Sequence, residues 1–169
     1  MNEEKKFENF PLSIVFITNF FNLILYVSGF FIIIRIGLTF SILYLLFILI
    51  SEYRIIRFHC IDCFYWGKRC GFGKGRISSL FFKKGEESKF CGKQMTWKDI
   101  IPDLLVPLVP LVVGVVLLFM EFDFVLVLLI MSLVILSTFG NAFIRGALTC
   151  KFCKQKEFGC PADQLFNKK

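Results

Sequence analysis

Two stretches of the chain stay apolar for about twice the length of a membrane span. Residues 10–51 carry one charge, Arg35, and residues 104–144 carry two, Glu121 and Asp123. One bilayer-spanning helix needs roughly 20 apolar residues, so each stretch predicts two helices joined where its charges fall. The first pair covers about 11–34 and 38–56, turning through Arg35-Ile36-Gly37. The second covers about 97–120 and 124–145, turning through Glu121-Phe122-Asp123. Helices are required because backbone facing lipid must satisfy its own hydrogen bonds. Thr96, with Asp99 three residues on, has the pattern of an N-cap for the third helix. Pro102, Pro107 and Pro110 predict that the first half of that helix is kinked or irregular.

Between and after the apolar blocks the chain turns polar. The organisation read from the sequence is an N-terminal segment 1–10, a helical hairpin 11–56 and a cysteine-rich basic loop 57–96. A second hairpin 97–145 and a cysteine-rich tail 146–169 complete it. The expected fold class is an all-α integral membrane protein: four transmembrane helices as two hairpins, each followed by a cytoplasmic cysteine-rich segment. Pro11–Ile34 is longer than the apolar core of a signal peptide and no small-x-small cleavage site follows, so it is expected to be a retained helix.

Lysine and arginine set the expected orientation. Residues 54–98 hold 11 of the 20 basic residues against three acids, six more lie from Arg145 onward, and Lys5 and Lys6 precede the first helix. Arg35 alone falls in an outer turn. The positive-inside rule then puts both termini and both cysteine-rich segments in the cytoplasm of a multi-pass protein of the cell membrane. On this reading the net charge of +7 is topological and calls for no nucleic acid. The basic face would meet anionic lipid headgroups of the bilayer. Composition agrees: 56% of residues are hydrophobic, and the 23 Phe suit lipid-facing packing rather than a cofactor box.

The candidate chemistry lies in the cysteines. Cys60-x2-Cys63-x6-Cys70 recurs as Cys150-x2-Cys153-x6-Cys160, each copy just after a pair of apolar helices. C-x2-C turns two sulfurs toward one tetrahedral ion, and two such turns make a four-thiolate zinc site. Cys60, Cys63, Cys150 and Cys153 are the expected first ligand set. Cys70, Cys91, Cys160 and His59, the sole histidine, complete a possible second set of four. Lys68, Arg69, Lys74, Lys151, Lys154 and Lys156 flank the sulfurs and are expected to favour thiolates. The module would be structural, or a docking surface for a soluble partner or a second copy.

Two redox chemistries compete with zinc. Cys160-Pro161 resembles the cysteine-proline ending of bacterial ferredoxin motifs, which would imply an iron–sulfur cluster, although the C-x2-C-x2-C run is missing. Thiol–disulfide exchange at a C-x2-C pair is the other. In helix number and cysteine pairs the chain resembles four-helix membrane thiol oxidases, which normally place working cysteines on the outer face, opposite to the side expected here. Stable disulfides are disfavoured in reducing cytoplasm.

Other features are weaker. Gly71-Phe72-Gly73-Lys74-Gly75-Arg76 lacks the P-loop spacing and reads as a flexible turn. Asn19 and Asn22, Ser137, Asn141 and Arg145, and Asp99 and Asp103 fall near helix ends, where interhelical hydrogen bonds or snorkelling account for them. No helix carries a charge near its centre, which argues against an ion-coupled transporter, and one histidine leaves no catalytic triad.

Overall fold

The computed structural model describes residues 6–92 and 97–160, with the backbone only at Ser88, Cys91, Gly92, Trp97 and Lys98. Thr96 and Pro161 lie outside the described residues, as do Lys5, Lys93, Lys168 and Lys169. Among the described residues there is no strand, only an isolated parallel bridge between Phe7 and Cys153. Helix α1 is Leu12–Ile33 and α2 is Leu38–Ile55, which widens into a π-helical turn, Ile56–Cys60. Two short helices follow, α3 at Lys74–Phe81 and α4 at Glu87–Gly92. Helix α5 is Trp97–Met120 and α6 is Phe124–Ile135. The chain continues from α6 through π-helical Leu136–Gly140, the short α7 at Asn141–Phe143, and π-helical Ile144–Thr149. Two 3-10 turns, Cys150–Phe152 and Lys154–Phe158, end the described tail.

Among the described residues, four helical stretches are long and apolar enough to cross a membrane: Leu12–Ile33, Leu38–Cys60, Asp99–Met120 and Phe124–Phe152. Their large apolar side chains are widely exposed, Phe119 to 89%. Such surfaces are excluded from water-soluble monomers as contiguous patches and are ordinary where lipid is the solvent.

The chain divides into two compact units. One takes in Phe20–Glu52 and Trp97–Ala142; the other takes in the described parts of Met1–Asn19, Tyr53–Thr96 and Phe143–Lys169.

In the first unit, helices of this apolarity, if surrounded by lipid tails, must be held together by close packing and hydrogen bonds. Ile33, Tyr44, Ile48 and Val106 form one buried cluster; Ile32, Leu126 and Leu133 form another. Pro110 removes the N–H that would bond the Val106 carbonyl four residues back. Tyr44 Oη fills that gap, donating to Val106 O at 3.0 Å. Helix α5 runs as one helix from Trp97 to Met120 with all three prolines inside it; a kinked or irregular first half was expected from them. Gly29 makes room for this bond: a Cβ there would collide with the Tyr44 hydroxyl and sit 3.2 Å from Pro110 Cγ. Ser28 and Ser132 hydroxyls pair at 3.1 Å, and Tyr26 Oη donates to Glu52 Oε1 at 2.6 Å. At the turns, Arg35 pairs with Asp123 at 2.7 Å. Asp123 also caps α6, accepting from the Val125 N–H.

Candidate functional site

The second unit contains all the described cysteines. Each C-x2-C pair is entered through a π-helical turn, Ile56–Cys60 before the first and Ile144–Thr149 before the second. π-turns carry one residue more than α-helix can hold and often mark functional positions. In the second copy the wide turn is fixed by Thr149 Oγ1, which donates to Ile144 O at 2.9 Å. Past the π-turns the two copies follow the same backbone course. Cys63 N–H donates to Cys60 O and Trp66 N–H to Cys63 O; Cys153 N–H donates to Cys150 O and Lys156 N–H to Cys153 O. Both pairs are therefore knuckles of two successive three-residue turns.

The knuckles meet side by side. Gln155, almost fully buried, accepts from the Phe64 N–H at 2.7 Å, 91 residues away in sequence. Its Oε1 also lies 3.6 Å from Cys63 Sγ. Tyr65 reaches the other way: its hydroxyl accepts from the Lys154 N–H at 2.9 Å and donates to Phe7 O at 2.5 Å. Phe64 stacks on Phe158 with centroids 5.6 Å apart.

A third strand of chain binds both knuckles. Phe7 N–H donates to Phe152 O at 3.1 Å, and Phe10 N–H donates to Arg69 O at 2.9 Å. Asn9 Oδ1 accepts from the Arg69 N–H at 3.1 Å. Two ion pairs finish the strap, Lys6–Glu157 at 2.8 Å and Lys154–Glu8 at 2.6 Å. Phe10 is buried, and its ring packs against Phe7 and Tyr65.

The six described cysteines are thiols. Cys63 lies within electrostatic reach of Cys153, Cys60 and Cys70, and Cys153 within that of Cys150 and Cys160, which links the six as one neighbourhood. Cys70 Sγ accepts from the Gly75 N–H at 3.4 Å. Cys150 is exposed, with Thr149 Oγ1 3.9 Å from its sulfur. His59 belongs to the π-turn that ends at Cys60. Cys91 falls in α4, its side chain outside the described residues. Among the described residues, no three His, Cys, Asp or Glu side chains converge tightly enough to hold one ion. The thiols are neighbours, not a closed shell.

Burial, not the lysines, governs the two inner thiols. It pushes Cys63 up to about 12, with the Tyr65 N–H pulling it partly back. It pushes Cys153 up to about 11, against the N–H groups of Gln155 and Lys156. Two of the six flanking cations are engaged elsewhere. Lys68 sits over the Phe64 ring at 4.1 Å, and Lys154 shares that ring at 5.4 Å while pairing with Glu8. Backbone N–H groups pointing at sulfur are nonetheless the donors that stabilise a thiolate once a cation is bound.

Sequence reasoning passed over Gln155, Tyr65 and the strap from Lys6 to Phe10. Aromatic residues interleaved with the cysteines (Phe64, Tyr65, Phe152, Phe158) were the available signal for a packed module; nothing singled out Gln155. The glycine-rich segment is no loose turn: Gly71 packs on Thr149 and Phe10, and Gly73, with φ 73°, leads into α3. Compared with known proteins, the chain matches no family model, no curated protein and no solved structure.

Proposed function

We propose that the chain is a multi-pass protein of the cell membrane whose cytoplasmic cysteine module binds zinc and presents a rigid docking surface. The four apolar stretches are read as two hairpins, with Arg35-Ile36-Gly37 and Glu121-Phe122-Asp123 as outer turns. The excess of lysine and arginine at the other ends puts both termini and the cysteines in the cytoplasm. There the reducing environment keeps the cysteines as thiols, available as metal ligands.

One observation carries the zinc reading. Two knuckles of the same spacing and backbone course, far apart in sequence, are held together by Gln155 and Tyr65 with six thiols in one neighbourhood. Cys60, Cys63, Cys150 and Cys153 are the first ligand set, with Cys70, Cys160, Cys91 and His59 as the reserve for a second. Binding would require the sulfurs to draw in toward one ion, about 2.3 Å from each. A metal so placed would add folding free energy to a module that is otherwise mostly strap and turns. The role we assign to it is structural, or recognition by a soluble partner.

Anaerobic purification followed by metal analysis and an absorption spectrum tests this. Colourless protein with one or two zinc ions supports the proposal. A brown protein absorbing near about 400 nm would replace zinc with an iron–sulfur cluster. Metal-free protein with a reducible Cys60–Cys63 or Cys150–Cys153 bond would replace it with thiol exchange.

A further inference from the structure

Helix α3 has two unlike faces. Gly75 and Ser78 are buried, with Gly75 so close to the cysteine loop that a Cβ would collide with Tyr65 O. Ile77, Leu80 and Phe81, at i, i+3 and i+4, share another face and are 43%, 75% and 74% exposed.

Both ends of α3 are fastened to spans. At its start, Asn19 Nδ2 donates to Phe72 O at 3.3 Å, Gly73 lies against Val15, and the Arg145 guanidinium stands 5.6 Å over the Phe72 ring. Val15 and Asn19 belong to the first two turns of the Leu12–Ile33 span. Just past its end, the Phe82 ring meets Tyr53 at 5.8 Å and the Arg57 guanidinium at 5.2 Å. Tyr53 and Arg57 belong to the last turns of the Leu38–Cys60 span. The open apolar face is therefore held level with the ends of two spans, where headgroups meet acyl chains. Tyrosine and arginine at that level are the usual residents of the interface. Arg76 and Lys83 bracket these residues in sequence, and both are exposed.

We propose that α3 is an interfacial anchor: Ile77, Leu80 and Phe81 insert at the surface of an anionic leaflet while Arg76 and Lys83 meet its phosphate headgroups. The proposal rests on the reading of the chain as a membrane protein. A short amphipathic helix binds an interface by apolar burial plus attraction to anionic lipid, and here the spans supply the tether that so short a helix needs.

Hydrogen exchange on the full chain in nanodiscs, one copy per disc, tests this with phosphatidylcholine alone and with phosphatidylcholine containing phosphatidylserine. We expect the α3 amides to exchange about thirtyfold more slowly with the anionic lipid, the combined effect of two basic contacts. Leu80→Ser with Phe81→Ser should abolish protection in both lipids. Arg76→Gln with Lys83→Gln should erase only the difference between them. Equal exchange in the wild type and the serine variant would overturn the anchor while protected Ile32, Ile33 and Leu133 amides left the membrane reading intact. Fast exchange at those span amides would overturn both. Protection seen only with two copies per disc would overturn the lipid assignment in favour of a second chain.

Discussion

Val106 sits in a helix yet takes its hydrogen bond from another one. Pro110 removes the ordinary donor, and Tyr44 supplies a replacement in a buried place. Tyr44→Phe should therefore destabilise the protein by about 1–2 kcal/mol, less than a buried carbonyl in a dry protein core suffers because a loosened helix in lipid finds other partners. A double-mutant cycle isolates the cause. With Pro110→Ala the helix regains its own N–H, so Tyr44→Phe in that background should cost less than half as much in thermal unfolding of detergent-solubilised protein. Equal costs in both backgrounds would refute the pairing. Gly29→Ala should be worse than Tyr44→Phe, because the added methyl group collides with the hydroxyl itself. Gln155 plays the matching part in the cysteine module. Gln155→Leu keeps its volume but strands the Phe64 N–H, a loss of about 1–3 kcal/mol. Faster hydrogen exchange at Phe64, with the exchange of Val106 unchanged, is the expected signature.

At the scale of elements, the four long apolar helices were legible because uninterrupted apolar runs of that length leave a chain few choices. The expected ends of 11–34 and 97–120 differ from Leu12–Ile33 and Trp97–Met120 by no more than a residue. The exits from the second and fourth helices were not legible. Instead of stopping near 56 and 145, the helical course continues through π-turns to Cys60 and Thr149. A shift of register by one hydrogen bond leaves no trace in hydropathy, since it depends on contacts such as Thr149 to Ile144. The strap from Lys6 to Phe10 was illegible for a related reason: a short run of mixed charge names no partner until Glu157, Arg69 and Tyr65 are beside it. The Arg35–Asp123 pair couples two turns that the sequence showed only as an odd basic residue and an acidic one. The Val125 N–H and Arg35 hold Asp123 below its ordinary value of 3.8. A depressed carboxylate contributes stability that is present above the unfolded value and fades as pH falls through the folded one. Unfolding temperature should thus drop on acidification below about pH 4, and Asp123→Asn should remove that part of the acid limb while lowering stability at neutral pH.

For the whole molecule, the candidate site stands on one topological fact with two parts. The N-terminal strap, the loop after α2 and the tail after the last helix are in contact through Phe7, Tyr65 and Lys154. If the four apolar stretches all cross a bilayer, an even number of crossings separates each of these segments from the next, so all three share a side. On the proposed reading, the excess of lysine and arginine makes that side the cytoplasm. A membrane-impermeant maleimide therefore should label no cysteine in intact cells or right-side-out vesicles and should label the protein in inverted ones. Within inverted vesicles exposure predicts an order. Cys150 is open, whereas Cys63 is covered by Gln155 and Phe64, so Cys150 should react first. Zinc bound to the knuckles would slow both, and a chelator should restore Cys150 to the rate of an exposed thiol while leaving Cys63 slow. Labelling of Cys150 from the outside would overturn the cytoplasmic assignment, and with it the case for cytoplasmic zinc. Chelator-independent rates in inverted vesicles would leave the topology standing and remove the metal.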